Sequence, residues 1–207
     1  MISAATIAQA ESHLARTDPL MARLIKRHGP CTIGRKRRDP FQVLASAIVS
    51  QQLSTKAADT IEKRVHTALG SNGRLHHRHF SGADIPKLRA CGLSNAKSKW
   101  LLALAEATAC GSLDFKKLRR LDDAAAMQML DDLPGIGQWT AEMMLIFAFD
   151  RLDIFSMGDV GLRRGVNLLY NKGRKLSDSR TFKLTAQWAP YRSIASWYLW
   201  HMADAGA

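Results

Sequence analysis

Cysteine, acidic side chains and long apolar runs are all scarce in this chain of 207 residues. Its three cysteines, Cys31, Cys91 and Cys110, are too widely spaced for a zinc site or an iron–sulfur ligand set, and an odd count suits a reducing compartment rather than a disulfide framework. They are expected to be buried or inert. No run of about 18 apolar residues occurs, and the opening MISAATIAQAESHLAR lacks the basic start and apolar middle of a secretory signal. A soluble, intracellular protein with no membrane attachment is expected. Alternating apolar and polar stretches of useful length are also missing, as are repeats and low-complexity tracts, so the expected fold class is all-α. The shortage of acids is the most informative: 18 Asp and Glu stand against 30 Lys and Arg, a formal net charge of +12. Such a balance favours a polyanionic partner, nucleic acid first, over a merely solubilising surface. A hydrophobic content of 46% is enough for a substantial core and excludes global disorder.

What is present is helical punctuation. Asp18-Pro19 and Asp39-Pro40 each place an acceptor before a proline at the first helical position, where the missing N–H costs nothing, and each predicts a helix. After Ser54, Ala57, Ala58, Ile61, Val65 and Ala68 recur at three- and four-residue steps; after Ser94, Leu101, Leu104, Ala105 and Thr108 do the same. Leu121 to Leu133 reads as another helix, a further one starts at Gln138, and Met143 to Phe149 is apolar on every side, as in a helix buried centrally. Ser177 to Met202 predicts two helices broken at Ala189-Pro190. The polar, His-rich segment Gly70 to Gly82 is expected to be a solvated connection between two helical lobes. Its His76, His77 and His79 have no carboxylate or cysteine at ligand spacing beside them.

The stretch LPGIGQWTAEMM, Leu133 to Met144, carries the first chemical signal. Pro134 to Gly137 must be a very tight connection between helices. Two glycines permit positive φ and remove the Cβ atoms that would keep another backbone away. The N–H groups of the turn and of the following helix start form a site for a phosphate oxygen. The ordered Leu-Pro-Gly-Ile-Gly resembles the hairpin of the helix-hairpin-helix DNA glycosylases, and the resemblance continues through QWTA at 138–141. DIFSMGDVGLRRGV, Asp153 to Val166, is similar to that family's stretch with the essential aspartate, and IVSQQLSTKAA, Ile48 to Ala58, resembles its DNA-intruding loop. APYRSIASWYLWH, Ala189 to His201, is similar to the C-terminal helix of the alkylation-repair branch, the 3-methyladenine DNA glycosylase II type.

The resemblance implies one all-α glycosylase domain over 1–207, in two helical lobes with DNA in a cleft between them. Residues about 40–150 would form the central lobe and 1–39 with 151–207 the second. It implies the minimal form of the branch, without an N-terminal β domain. The implied activity is monofunctional excision of alkylated purines, 3-methyladenine and 7-methylguanine, from double-stranded DNA by base flipping and hydrolysis, in base excision repair. The enzyme would be a monomer with no required cofactor, at the nucleoid in the cytoplasm of a bacterium or in the nucleus of a eukaryote. A noncatalytic helix-hairpin-helix DNA-binding module is the competing reading. A glycosylase/lyase for oxidised bases is disfavoured, since the position two residues after Gly137 holds Trp139, which cannot form an imine as lysine does.

Cleaving the bond between base and deoxyribose develops positive charge on the sugar, which calls for a fixed negative charge beside it. Asp159 matches the family's catalytic aspartate, and Gly158-Asp159 before VGLRRGV is equally an N-cap pattern, two compatible roles. Asp153 is read as structural. The resemblance places Trp139, Trp200 and Met143 at the base pocket; Trp197 shares a helical face with Trp200, and one of that pair belongs to the core. Gln52, with Leu53 beside it, takes the position that fills the gap left by the extruded nucleotide, where some members have leucine. Gly135, Ile136, Gly137, Thr140 and Arg163 are the other expected DNA contacts, with Arg164, Lys97 and Lys99 as further candidates for phosphate. The backbone carbonyls of Leu133 and Gly135 would hold a structural sodium or potassium ion.

Overall fold

The computed structural model describes residues 1–205, and these form twelve α-helices, one short 3-10 turn and no strand. The all-α class is as expected. In order the helices are α1 Ala4–Thr17, α2 Pro19–His28, α3 Pro40–Ser50, α4 Thr55–Ala68, α5 Ile85–Ala90 and α6 Asn95–Ala109. Then follow α7 Phe115–Arg120, α8 Asp123–Asp131, α9 Gln138–Phe147, α10 Val160–Asn171, α11 Asp178–Ala186 and α12 Arg192–Ala205. Helices α1 to α8, α10 and α11 each open on a Ser or Asp whose side chain accepts an N–H of the first turn. Each such cap contributes about 1 kcal/mol. Both Asp-Pro pairs, Ser54 and Ser94 start the predicted helices. Helix α8 is shorter than Leu121 to Leu133, because Asp122 turns out of the helix to cap it. Helix α9 stops at Phe147 rather than Phe149. No helix among the described residues is long and apolar enough to cross a membrane.

The chain divides into two compact units, one of Arg38–Met144 and one of Met1–Arg37 with the chain from Leu145 on. In the first, α3 packs on α4 and α6, and α6 also meets α5 and the 3-10 turn His77–Phe80. That turn lies in the segment expected to join the lobes as a solvated loop. Instead, Gly70 to Gly82 stays within this one unit, connecting α4 to α5. Leu75 and Phe80 are both buried, Phe80 stacks edge-on to Phe41, and the Leu75 N–H donates to the Gln42 side chain. Two well-buried apolar side chains, about 1.5–3 kcal/mol each, outweigh the polar composition around them. The His76 N–H donates to Nδ1 of His79, which occupies that ring nitrogen.

In the second unit α10 packs on α12, α12 on α1 and α2, and α1 on α2. Gly165 permits the first of these approaches: a Cβ there would lie 2.8 Å from the carbonyl oxygen of Leu199. Two acidic side chains inside the unit are fully engaged. Asp18 caps α2 with Oδ1 and accepts the Tyr170 hydroxyl (2.6 Å) and the Trp188 indole N–H (2.9 Å) on Oδ2. Glu11 accepts the Tyr198 hydroxyl and the Cys31 N–H. Acids hydrogen-bonded in this way, Asp18 buried and Glu11 half-buried, tie helices together. Cys31 and Cys91 are buried, and burial pushes the Cys31 thiol up to about 12. Cys110 departs from expectation. It is exposed at the end of α6, where hydrogen bonding with Ser112 lowers its pKa.

Candidate active site

The candidate residues fall in both units. In the Arg38–Met144 unit, the connection from α8 to α9 is as tight as expected, but its two glycines do different things. Gly135 has φ +79°, and a Cβ on it would sit 2.2 Å from the Trp100 indole, so both backbone and space require glycine there. Gly137 needs neither: its φ lies outside the left-handed region, and a Cβ would meet nothing within 4 Å. Gly137 precedes the first residue of α9, and its carbonyl accepts the Ala141 N–H at 3.1 Å. It therefore leaves the start of that helix uncovered by any side chain of its own. Ile136 and Thr140 are buried, at 3% and 1% exposure, so neither of these two expected contacts presents its side chain to a ligand.

The end of α3 braces this hairpin. Nε2 of Gln51 donates to the Gly135 carbonyl (2.8 Å) and to Oγ1 of Thr140 (2.9 Å). Gln52 follows, exposed and with φ +56°, a conformation that costs a residue with a side chain about 1–3 kcal/mol; Leu53 is exposed beside it. Lys97, a sequence candidate for phosphate contact, is committed elsewhere: Nζ donates to the carbonyls of Val49 (2.8 Å) and Gln51 (2.6 Å). A cation at a helix C-terminus satisfies carbonyls that have no intrahelical partner, and burial lowers its pKa. Lys99 is exposed. Trp139 is half-buried in the first turn of α9 and Met143 is buried a turn later. The Leu133 carbonyl accepts the Ile136 N–H. It and the Gly135 carbonyl each keep a second lone pair, and neutral oxygens of this kind fit a hard monovalent cation.

In the other unit, Asp159 is the N-cap of α10 and only 8% exposed. Its Oδ1 accepts the Leu162 N–H at 2.7 Å and the Trp200 indole N–H at 3.0 Å. The carboxylate is thus fixed by its own helix and by α12. Gly161 keeps the space beside it clear, since a Cβ would press on Oδ1 and on the Trp200 ring, both 3.2 Å away. Phe147 lies against the opposite partner of this cluster, 5.5 Å from the Trp200 ring centre. Trp197, stacked on His201 and 9% exposed, is the core member of the tryptophan pair. Asp153 makes a bidentate ion pair with Arg192, at 2.7 and 2.9 Å. Arg163, expected on DNA, instead pairs with Asp178 (2.6 Å) and donates to the Leu176 carbonyl, because the start of α11 offers its guanidinium a nearby carboxylate. Arg164 is exposed.

Sequence reasoning missed Trp100, Gln51 as a brace and Phe147. Gln51 had a local signal, a polar residue ending an apolar helix. Trp100 had none beyond being an aromatic on α6.

A glycine before α9 that leaves the helix start without a side chain of its own, and a carboxylate held at the start of α10, are features of the class to which the chain's family belongs. The chain belongs to the HhH-GPD superfamily of base excision DNA repair proteins, whose family model matches residues 45–190. It is 33% identical over 199 residues to DNA-3-methyladenine glycosylase 1 of Schizosaccharomyces pombe, covering 94% of this chain and 87% of that protein. The solved structure of the 3-methyladenine DNA glycosylase of Schizosaccharomyces pombe in complex with abasic DNA superposes with a TM-score of 0.85 at 32% identity, over 95% of this chain and 97% of that one. A DNA-3-methyladenine glycosidase from Bacillus halodurans gives a TM-score of 0.77 at 34% identity, over 95% and 89% of the two chains.

Proposed function

We propose that this protein is a monofunctional DNA glycosylase that excises alkylated purines, 3-methyladenine and 7-methylguanine, from duplex DNA in base excision repair. The observation that carries the reading is Asp159, a mostly buried carboxylate whose orientation is set by the Leu162 N–H and the Trp200 indole. An N-cap alone needs only the first of these.

The base must leave the stack before it can react. Trp139, Met143 and Trp200 are assigned to hold it and Gln52 to fill the gap it leaves. The N–H groups around Gly135, Ile136 and Gly137 hold the backbone phosphate. The N-glycosidic bond then breaks, and the methylated purine cation departs neutral with the bonding pair. Asp159 stabilises the positive sugar, water adds to the anomeric carbon, and the water's surplus proton passes to the carboxylate. Trp139, standing where a nucleophilic lysine would, offers no amine for an imine route. A sodium or potassium ion on the carbonyls of Leu133 and Gly135 would supply positive charge beside the phosphate. The protein acts as a monomer with no required cofactor, at the nucleoid of a bacterium or in a eukaryotic nucleus.

Incubation with randomly methylated duplex DNA tests the reading. Free 3-methyladenine and 7-methylguanine are expected, with no strand cleavage and no adduct trapped by borohydride. Asp159→Asn keeps the cap but loses the charge, so single-turnover excision should fall about 10²- to 10³-fold while duplex affinity stays near its starting value. Ordinary duplex binding with no released base would instead make the chain a noncatalytic DNA-binding module.

A further inference from the structure

A hydrogen-bonded chain in the Arg38–Met144 unit plays no part in the chemistry above. It runs from Lys97 on α6 to the last carbonyls of α3, and from Gln51 at the end of α3 to the hairpin. We propose that Gln51, held by Lys97, is a positioning residue that locks the Gln52 loop to the hairpin, so that void filling and phosphate grip act as one rigid element. What the two elements do rests on the glycosylase reading; the lock itself does not.

Gln51 turns its polar groups toward three elements. Its N–H donates to Ala47 of its own helix, its carbonyl accepts from Lys97, and its side-chain amide spans to the hairpin. The two protons of that amide match two acceptors that bracket Gly137, the Gly135 carbonyl before it and the Thr140 hydroxyl after it. The peptide unit joining Gly135 to Ile136 is then held from both sides, since the Ile136 N–H donates to Leu133. Its orientation, and with it the aim of the N–H groups around the open Gly137, follows from Gln51. On the other side of Gln51 lies Gln52 at φ +56°, a backbone state that needs support from its neighbours. That support comes from Gln51, pinned at its N–H, carbonyl and side chain, and from the Leu53 N–H returning to the Ser50 carbonyl. Shifting the hairpin therefore shifts Gln51 and the loop that carries Gln52.

Gln51→Glu tests this with an isosteric side chain that can accept the Thr140 hydroxyl proton but has none to donate to the Gly135 carbonyl. Hydrogen exchange of the hairpin amides in the DNA-free protein, and single-turnover release of 7-methylguanine, are measured in the wild type, Gln51→Glu, Gln52→Ala and the double variant. Circular dichroism melting is the folding control. Expected are exchange about tenfold faster at 135–138 and excision about tenfold slower in Gln51→Glu, with the double variant no slower than the worse single variant. Lys97→Met loosens the same chain from its far end and should move both readouts in the same direction, which covers the case of a misfolded Gln51→Glu. Unchanged hairpin exchange in the folded variants, or strictly multiplicative losses at positions 51 and 52, would overturn the lock. A wild type that fails to excise would overturn the glycosylase reading and leave the exchange result to decide the lock.

Discussion

Asp159 caps α10 and is proposed to face the sugar cation, and its two hydrogen-bond partners differ in how far along the chain they lie. Its cap bond to Leu162 is local and was legible in the sequence, because Gly-Asp before an amphipathic run is a helix start at any site. The bond from Trp200 crosses 41 residues and no spacing announces it. The same contrast explains Arg163 and Lys97. Both read as candidate phosphate contacts in a chain of net charge +12, and both have partners within the protein, Asp178 and the end of α3, that only the folded chain brings near. The aromatic residues lead to a prediction at this scale. A methylated purine cation over a tryptophan face gains about 0.5–2 kcal/mol when desolvated, and stacking contributes about 1–3 kcal/mol for any base. Trp139→Ala and Trp200→Ala should therefore each slow release of 3-methyladenine and 7-methylguanine at least about tenfold, with little change in melting temperature. Trp197→Ala, in contrast, should lower the melting temperature. If the first two variants fold and excise at the original rate, neither tryptophan holds the base.

At the scale of elements, the helix starts were readable and the short helices were not. Ser and Asp caps with apolar residues three and four apart placed α2, α3, α4 and α6. Helix α1 carries a comparable signal in Ser3, Ile7, Ala10 and Leu14. Helices α5 and α7, six residues each, are too short for periodicity to register. In the segment 70–82 the polar composition hides two buried anchors, Leu75 and Phe80, which keep it within one unit. Glycine roles divide in the same way: order within Leu-Pro-Gly-Ile-Gly suggested a special turn, yet nothing local marks Gly165 as the point where α10 meets α12. That point yields a stability prediction. Gly165→Ala gains helix propensity but drives a methyl against the Leu199 backbone, and overpacking of this kind costs about 1–3 kcal/mol. The melting temperature should fall by about 2–12 °C. A rise would mean that α12 yields freely and that close approach is not what glycine provides.

Charge is the property of the whole molecule that was plainest in the sequence, and the fold sharpens what it can do. Lys97, Arg163 and Arg192 spend their charge inside the protein. Others remain on the surface: Arg35, Lys36 and Arg37 between α2 and α3, and Lys172, Arg174 and Lys175 between α10 and α11, are all exposed. Surface cations that meet phosphate release counterions, and each contact adds about 0.9 to the slope of log affinity against log salt for duplex DNA. With about five contacts, doubling the salt concentration should weaken binding to undamaged duplex about twentyfold. On the proposed role of Asp159, the Asp159→Asn variant should follow a line of the same slope, because the lost charge would face the sugar rather than the phosphates. Titration of a fluorescent duplex at several salt concentrations measures both lines. A flat line for the wild type would reduce the excess of basic residues to a solubilising surface, while a changed slope in the variant would place Asp159 among the groups that set phosphate contact.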